Sequence, residues 1–151
     1  MEGLDRLQVY QAAQDLTKYM YRNALKELPS EEKWALTSKI RRAAVSIPAN
    51  IAEGYGRYYY QETIRFCYLA RGSLMELMSQ KELSADQGFL SEDVVDVVTE
   101  KADTLLKLIH GYINYLKKCK CGINEPGSQH GIAEETEIYS IDNDDLEEMI
   151  E

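Results

Sequence analysis

Seven apolar residues, Val94, Val98, Ala102, Leu105, Ile109, Tyr112 and Leu116, follow one another at steps of four, four, three, four, three and four, with polar residues between them. That period is the pitch of an α-helix, so the seven line one side of a long helix and leave its other side wet. A helix of this kind must bury its apolar side against other elements, and the rest of the chain supplies partners of the same kind. Leu7, Tyr10, Ala13, Leu16, Met20, Ala24 and Leu28 predict a first helix over residues 7–28. Trp34, Ile40, Ala44, Ile47 and Ile51 predict a second, with Gly54 and Gly56 as its stop. Ile64, Cys67, Ala70, Leu74, Leu77 and Met78 predict a third over residues 60–86. No stretch alternates as a strand would.

The punctuation agrees with this division. Pro29 and Ser30 separate the first two helices, with Ser30 a candidate N-cap, and Ser91 is a candidate cap for the last helix, followed by Glu92 and Asp93 in its first turn. Gly88 lies just past the third helix. Pro48 falls inside the second, where a missing N–H costs roughly 3 kcal/mol. Because the apolar phase is kept across the proline, the expectation is a kink rather than a break. Four segments of similar length joined by short loops favour antiparallel neighbours, so the fold class is all-α, an up-down antiparallel four-helix bundle over residues 1–120.

At 151 residues with 44% hydrophobic and 28% charged, the chain is large enough for one substantial core. The net charge of −9 is unevenly placed. All 17 Lys and Arg lie in residues 1–120 beside 16 of the 26 acids, which leaves the body near neutral. The other 10 acids lie beyond Lys120 without a basic neighbour, after a linker containing Gly122, Pro126, Gly127, Ser128 and Gly131. Residues 121–151 therefore read as a flexible, disordered acidic tail. Leu146, Met149 and Ile150 within it have the spacing of one side of a short helix, which could dock on a basic, apolar groove or stay solvated.

No apolar run is long enough to cross a membrane and the N-terminus carries no export-type signal, so a cytoplasmic protein is expected. Three cysteines, two of them only one residue apart at Cys119 and Cys121, fit a reducing compartment. With His110 or His130 they could be read as zinc ligands, but one-residue spacing without a second close pair is a poor zinc pattern. No phosphate-binding glycine loop or catalytic histidine motif is present, and neither a cofactor nor an enzymatic activity is expected.

Two constellations remain. Lys39, Arg41, Arg42, Arg57 and Arg65, with Arg71 nearby, are the densest basic region, interleaved with Tyr55 and Tyr58 to Tyr60. Fixed positive charge suits phosphates and the tyrosines suit unpaired bases, whereas ion pairing to Glu53, Glu62 and Glu76 would neutralise the same arginines within the bundle or across a subunit contact. Asn50 and Glu53, and Ser73 and Glu76, are three apart and so share helix faces. Together with Arg71 they fit either a polar pocket or buried hydrogen bonding that fixes how the second helix meets the third.

The run Arg41-Arg42-Ala43-Ala44-Val45-Ser46-Ile47-Pro48-Ala49-Asn50-Ile51-Ala52-Glu53-Gly54-Tyr55-Gly56-Arg57 closely resembles the signature of the four-helix bundle proteins encoded in intervening sequences of bacterial 23S ribosomal RNA genes. It is supported by the Ala-x-x-Leu ending of Leu7 to Leu16, by Leu28-Pro29-x-Glu31-Glu32-Lys33, and by Leu69-Ala70-Arg71-Gly72-Ser73-Leu74-x-Glu76-Leu77. The resemblance covers about residues 4–118. It implies an up-down bundle that assembles into a ring-like homopentamer, similar to the accessory proteins of diversity-generating retroelements, which work with a reverse transcriptase and bind nucleic acid through basic surfaces. The acidic extension departs from that pattern and could screen a basic surface or serve another partner. The expected function is a non-enzymatic oligomeric accessory protein that associates with RNA or DNA; the alternative is a protein-interaction scaffold.

Overall fold

The computed structural model describes residues 3–120. After a short 3-10 turn, Leu4–Arg6, helix α1 runs Gln8–Tyr19, widens into a π-helical turn at Met20–Ala24 and closes with an α turn, Leu25–Glu27. Helix α2 is Leu36–Tyr55, α3 is Tyr60–Asp86 and α4 is Glu92–Cys119. There is no strand among the described residues. α1 packs on α2 and α4, and α3 packs on the same two from the other side, so consecutive helices are neighbours and the chain closes into an up-down square. The tail from 121 onward, including the short helix expected near its end, lies outside the described residues.

The core is the sum of the four apolar stripes. Leu7, Ala13, Leu16, Met20 and Ala24 of the first stripe are buried, as are Ile40, Ala44, Ile47 and Ile51, then Cys67, Ala70, Leu74 and Leu77, and all seven of the last stripe. Trp34 is the exception: it is 84% exposed, in the turn before α2 rather than on its stripe. Ser30 does not cap α2 either. Ser30–Glu32 is a 3-10 turn, and the Glu32 carboxylate accepts from Leu36 N at 3.3 Å, placing an anion at the positive end of the helix. The α3 stripe also runs two steps further than its apolar residues, through Lys81 and Ser84. Lys81, 2% exposed, reaches the Thr99 hydroxyl at 2.9 Å and the exposed Glu82 carboxylate, so its charge is paired at the edge of the core.

Three local devices set the helix ends. Ser91 Oγ accepts from Val94 N, while the Glu27 carboxylate accepts from both Ser91 N and Ser91 Oγ at 2.8 Å, which carries an acid from the unfavourable end of α1 to the favourable end of α4. Beyond α3, Gly88 takes φ +73°, with Gly88 N bonded to Ala85 O and Phe89 N to Ser84 O, the paired bonds of a Schellman ending. Lys120 takes φ 49° as α4 ends.

Helix α2 runs unbroken through the buried Pro48. The Ala44 carbonyl, which would have received the missing N–H, instead accepts from Thr17 Oγ1 of α1 at 2.8 Å; the same hydroxyl lies 2.9 Å from Ala13 O. The expected disruption is thus repaired by a neighbouring helix. Of the two glycines read from the sequence as a stop, Gly56 caps α2, whereas Gly54 lies inside it and has another role: a Cβ there would lie 2.7 Å from Phe66 Cβ, and Thr63 Oγ1 donates to Gly54 O at 2.9 Å. Its lack of a side chain lets α3 cross α2 closely.

Candidate nucleic-acid interface

Residues on a helix advance about 1.5 Å each, so the basic residues expected to cluster are spread along the bundle. On that measure Arg42 stands about 20 Å along α2 from its end at Tyr55, two residues before Arg57. Lys39, Arg41 and Arg42 lie in its first half, whereas Arg57 and Arg65 lie at the opposite end, around the turn into α3. The five expected contact residues therefore form two groups.

In the first group all three side chains are exposed. Arg41 lies over the Tyr21 ring of α1, 5.8 Å from its centroid, and Lys39 lines a groove with Leu36, Gln80, Leu83 and Phe89. In the second group Arg57 is committed locally: it pairs with Glu53 at 2.6 Å and lies over Phe66, 4.9 Å from the ring centroid. Arg65 is exposed on α3. Among the described residues, no acidic side chain stands within ion-pair distance of Lys39, Arg41, Arg42, Arg65 or Arg71. Of the pairings expected to neutralise the arginines, the structure contains the one from Arg57 to Glu53.

The reason the second group is richer than the sequence suggested is topological. Antiparallel α3 and α4 bring the end of α4 beside the start of α3, so Lys117, Lys118 and Lys120 join Arg65 there. Lys117 Nζ donates to Tyr68 OH at 3.2 Å. Tyr58 and Tyr59 are exposed at the same end, packed edge to face with centroids 4.9 Å apart. The sequence offered these lysines only as helix-end charges, because nothing local shows that the two helix ends meet.

The polar set is also divided. Asn50 Nδ2 donates to Ser46 O at 2.9 Å and to Ser46 Oγ at 3.0 Å, and Ser46 Oγ lies 2.8 Å from Ser73 Oγ, one of the two hydroxyls donating. This chain joins α2 to α3, as hydrogen bonding fixing the two helices would. Ser46 was the unrecognised member, although it is four residues before Asn50. Glu53, Glu76 and Arg71 do not belong to it: Glu53 turns to Arg57, Glu76 accepts from Gln80 at 3.1 Å, and the charge of Arg71 bears on His110 of α4. Glu53 and Glu76 bond one turn along their own helices and Arg71, two residues from Ser73, lies on another side of α3, so shared three-residue spacing was not enough to bring them together.

His110 is the titratable group that Arg71 influences. Its Nε2 is buried with no hydrogen-bond partner, and burial, then the Arg71 guanidinium, hold its pKa below the ordinary 6.5. The neutral form is favoured in the fold, so the stability it confers is complete above about pH 6.5 and declines as pH falls through the lower folded value. Urea midpoints measured between pH 7.5 and 5 should fall in the wild type and fall less in His110→Gln; parallel curves would show that another group carries the acid sensitivity.

Cys67 is buried, which pushes its thiol up to about 12 and keeps it protonated at neutral pH. Cys119 Sγ donates to Tyr115 O at 3.1 Å, while Cys121 and His130 of the zinc reading lie outside the described residues. Among the described residues no three His, Cys, Asp or Glu side chains converge as a metal site, and no helix is long and apolar enough to cross a membrane.

A family model described as 23S rRNA-intervening sequence protein matches residues 5–111, which spans α1 through most of α4. No curated protein matches the chain.

Proposed function

The chain belongs to the 23S rRNA-intervening sequence protein family, and from that premise we propose that it is a non-enzymatic, oligomeric accessory protein that contacts the phosphate backbone of RNA or DNA without strong base preference. The observation that carries this reading is the unpaired charge of Lys39, Arg41, Arg42 and Arg65, all exposed on α2 and α3. Exposed cations with no ion-pair partner among the described residues attract phosphates and release the counterions around them. Tyr58 and Tyr59 add ring faces on which unpaired bases can stack.

The test is binding of a labelled single-stranded RNA, and of DNA of the same sequence, to the full chain at 50 and 200 mM salt. Affinity should fall at least tenfold over that range. Arg42→Ala and Arg65→Ala should each weaken both probes alike and lower the salt slope by about 1. Binding that ignores salt, or no binding at low salt, would overturn the proposal.

A second reading, a protein-interaction scaffold, draws on the groove that Lys39 lines. Trp34 and Leu83 are exposed there beside the groove lined by Leu36 and Phe89, the kind of apolar surface that contacts protein. In the oligomeric reading that surface meets another copy, in the ring of five that the family resemblance implies. Light scattering on the wild type and Trp34→Ser decides between them: loss of oligomer mass in the variant supports self-association, and unchanged mass favours a different protein partner.

A further inference from the structure

We propose that the acidic segment Asp142–Glu151 docks in cis on the surface formed by Arg65, Tyr68 and Leu69 of α3 with Lys117 of α4. The surface has two properties at once. Arg65, Tyr68 and Leu69 are three and four residues apart, so they share one exposed side of α3, where Tyr68 is 45% and Leu69 47% exposed. Arg65 has no acidic partner among the described residues, and Lys117 adds a second cation where its ammonium meets the Tyr68 hydroxyl. An occupant must therefore be both apolar and acidic.

The chain's own C-terminal segment is both. Leu146, Met149 and Ile150 are three and four apart, flanked by Asp144, Asp145, Glu147, Glu148 and Glu151, and no Lys or Arg occurs after Lys120. The segment is also close by connection. Lys117 lies three residues before Lys120, the last described residue, and the intervening chain to Asp142 includes Gly122, Pro126, Gly127, Ser128 and Gly131. A random-coil chain of about 22 residues has a root-mean-square span of roughly 25 Å, and a tether of that length would keep its end near such a surface at millimolar effective concentration. Attraction between opposite charges across the contact weakens with salt. The docked segment would cover Arg65, so a polyanion would have to displace it there.

Tyrosine nitration of the full chain, with no nucleic acid present, tests this independently of the proposed function. Tyr68 and Tyr21 have similar exposure in the bundle, 45% and 41%, but Tyr21 lies on α1, away from the proposed contact. In a variant with Asp142, Asp144 and Asp145 changed to Asn and Glu147 and Glu148 to Gln, Tyr68 should nitrate at least threefold faster than in the wild type while Tyr21 is unchanged. The wild type in 0.5 M salt should show the same rise, and so should Leu146→Ser combined with Ile150→Ser. Equal Tyr68 rates in wild type and both tail variants would overturn the proposal. Protection of Tyr68 that disappears on dilution would also overturn it, since the segment would then come from another copy.

Discussion

Gly54→Ala lowers the thermal midpoint of the bundle by about 5–10 °C, the shift that a loss of about 2 kcal/mol produces in a domain of this size. Helix propensity alone gives the opposite sign, because alanine in place of a helical glycine gains about 0.5–1 kcal/mol. The geometry outweighs it: the new Cβ would stand 2.7 Å from Phe66 Cβ and 3.2 Å from Thr63 O, both on α3 where it packs on α2. Moving α3 away relieves the clash only by loosening packing, at about 1–3 kcal/mol, and by stretching the bond from Thr63 Oγ1 to Gly54 O. Gly72→Ala is the control. It is also a helical glycine, but nothing lies within 4 Å of its added Cβ, so it should gain the propensity term and raise the midpoint. Scanning calorimetry of wild type and both variants at one protein concentration checks this. Two midpoints that rise together would show that the crossing has room.

Thr17→Val destabilises the bundle by about 1–2 kcal/mol, and most of that loss disappears when Pro48 is first changed to alanine. The valine keeps the shape of the side chain and removes the hydroxyl that reaches Ala44 O, leaving a buried carbonyl without a donor. Pro48→Ala restores an N–H four residues after Ala44, the ordinary helical partner of that carbonyl. The two changes should therefore couple by about 1 kcal/mol in a double-mutant cycle of urea unfolding. Additive effects would mean that the hydroxyl serves Ala13 O alone, the other carbonyl within its reach.

These residues also mark where sequence reading stops. The four stripes, the third helix over 60–86, the cap at Ser91 and the ending at Gly88 were all legible, because each depends on residues within one or two helical turns of one another. Trp34 was misplaced because it was read onto the α2 stripe although it stands six residues before Ile40; Leu36, four before Ile40, holds that phase, and the chain ahead of it turns through a 3-10 segment that carries Trp34 into solvent. The π turn at Met20–Ala24 left no sign in the pattern, since Met20 and Ala24 remain four apart and buried in either geometry. Of the basic residues, Arg41 and Arg42 were adjacent in sequence and remain so, but Arg65 gains Lys117 as a neighbour only because α3 and α4 run antiparallel.

The amino-acid order by itself determined that the body would be helical, how many helices it would have and which side of each would be dry, because helical period and apolar spacing are properties of contiguous chain. Tertiary structure alone decided which polar groups met across helices: Thr17 beneath the proline, Ser46 with Ser73, Lys81 with Thr99, and Lys117 with Tyr68. Those pairings depend on how the helices are rotated and shifted against one another, and that is fixed by the packing of all four stripes together, with Gly54 setting how near two of them can come.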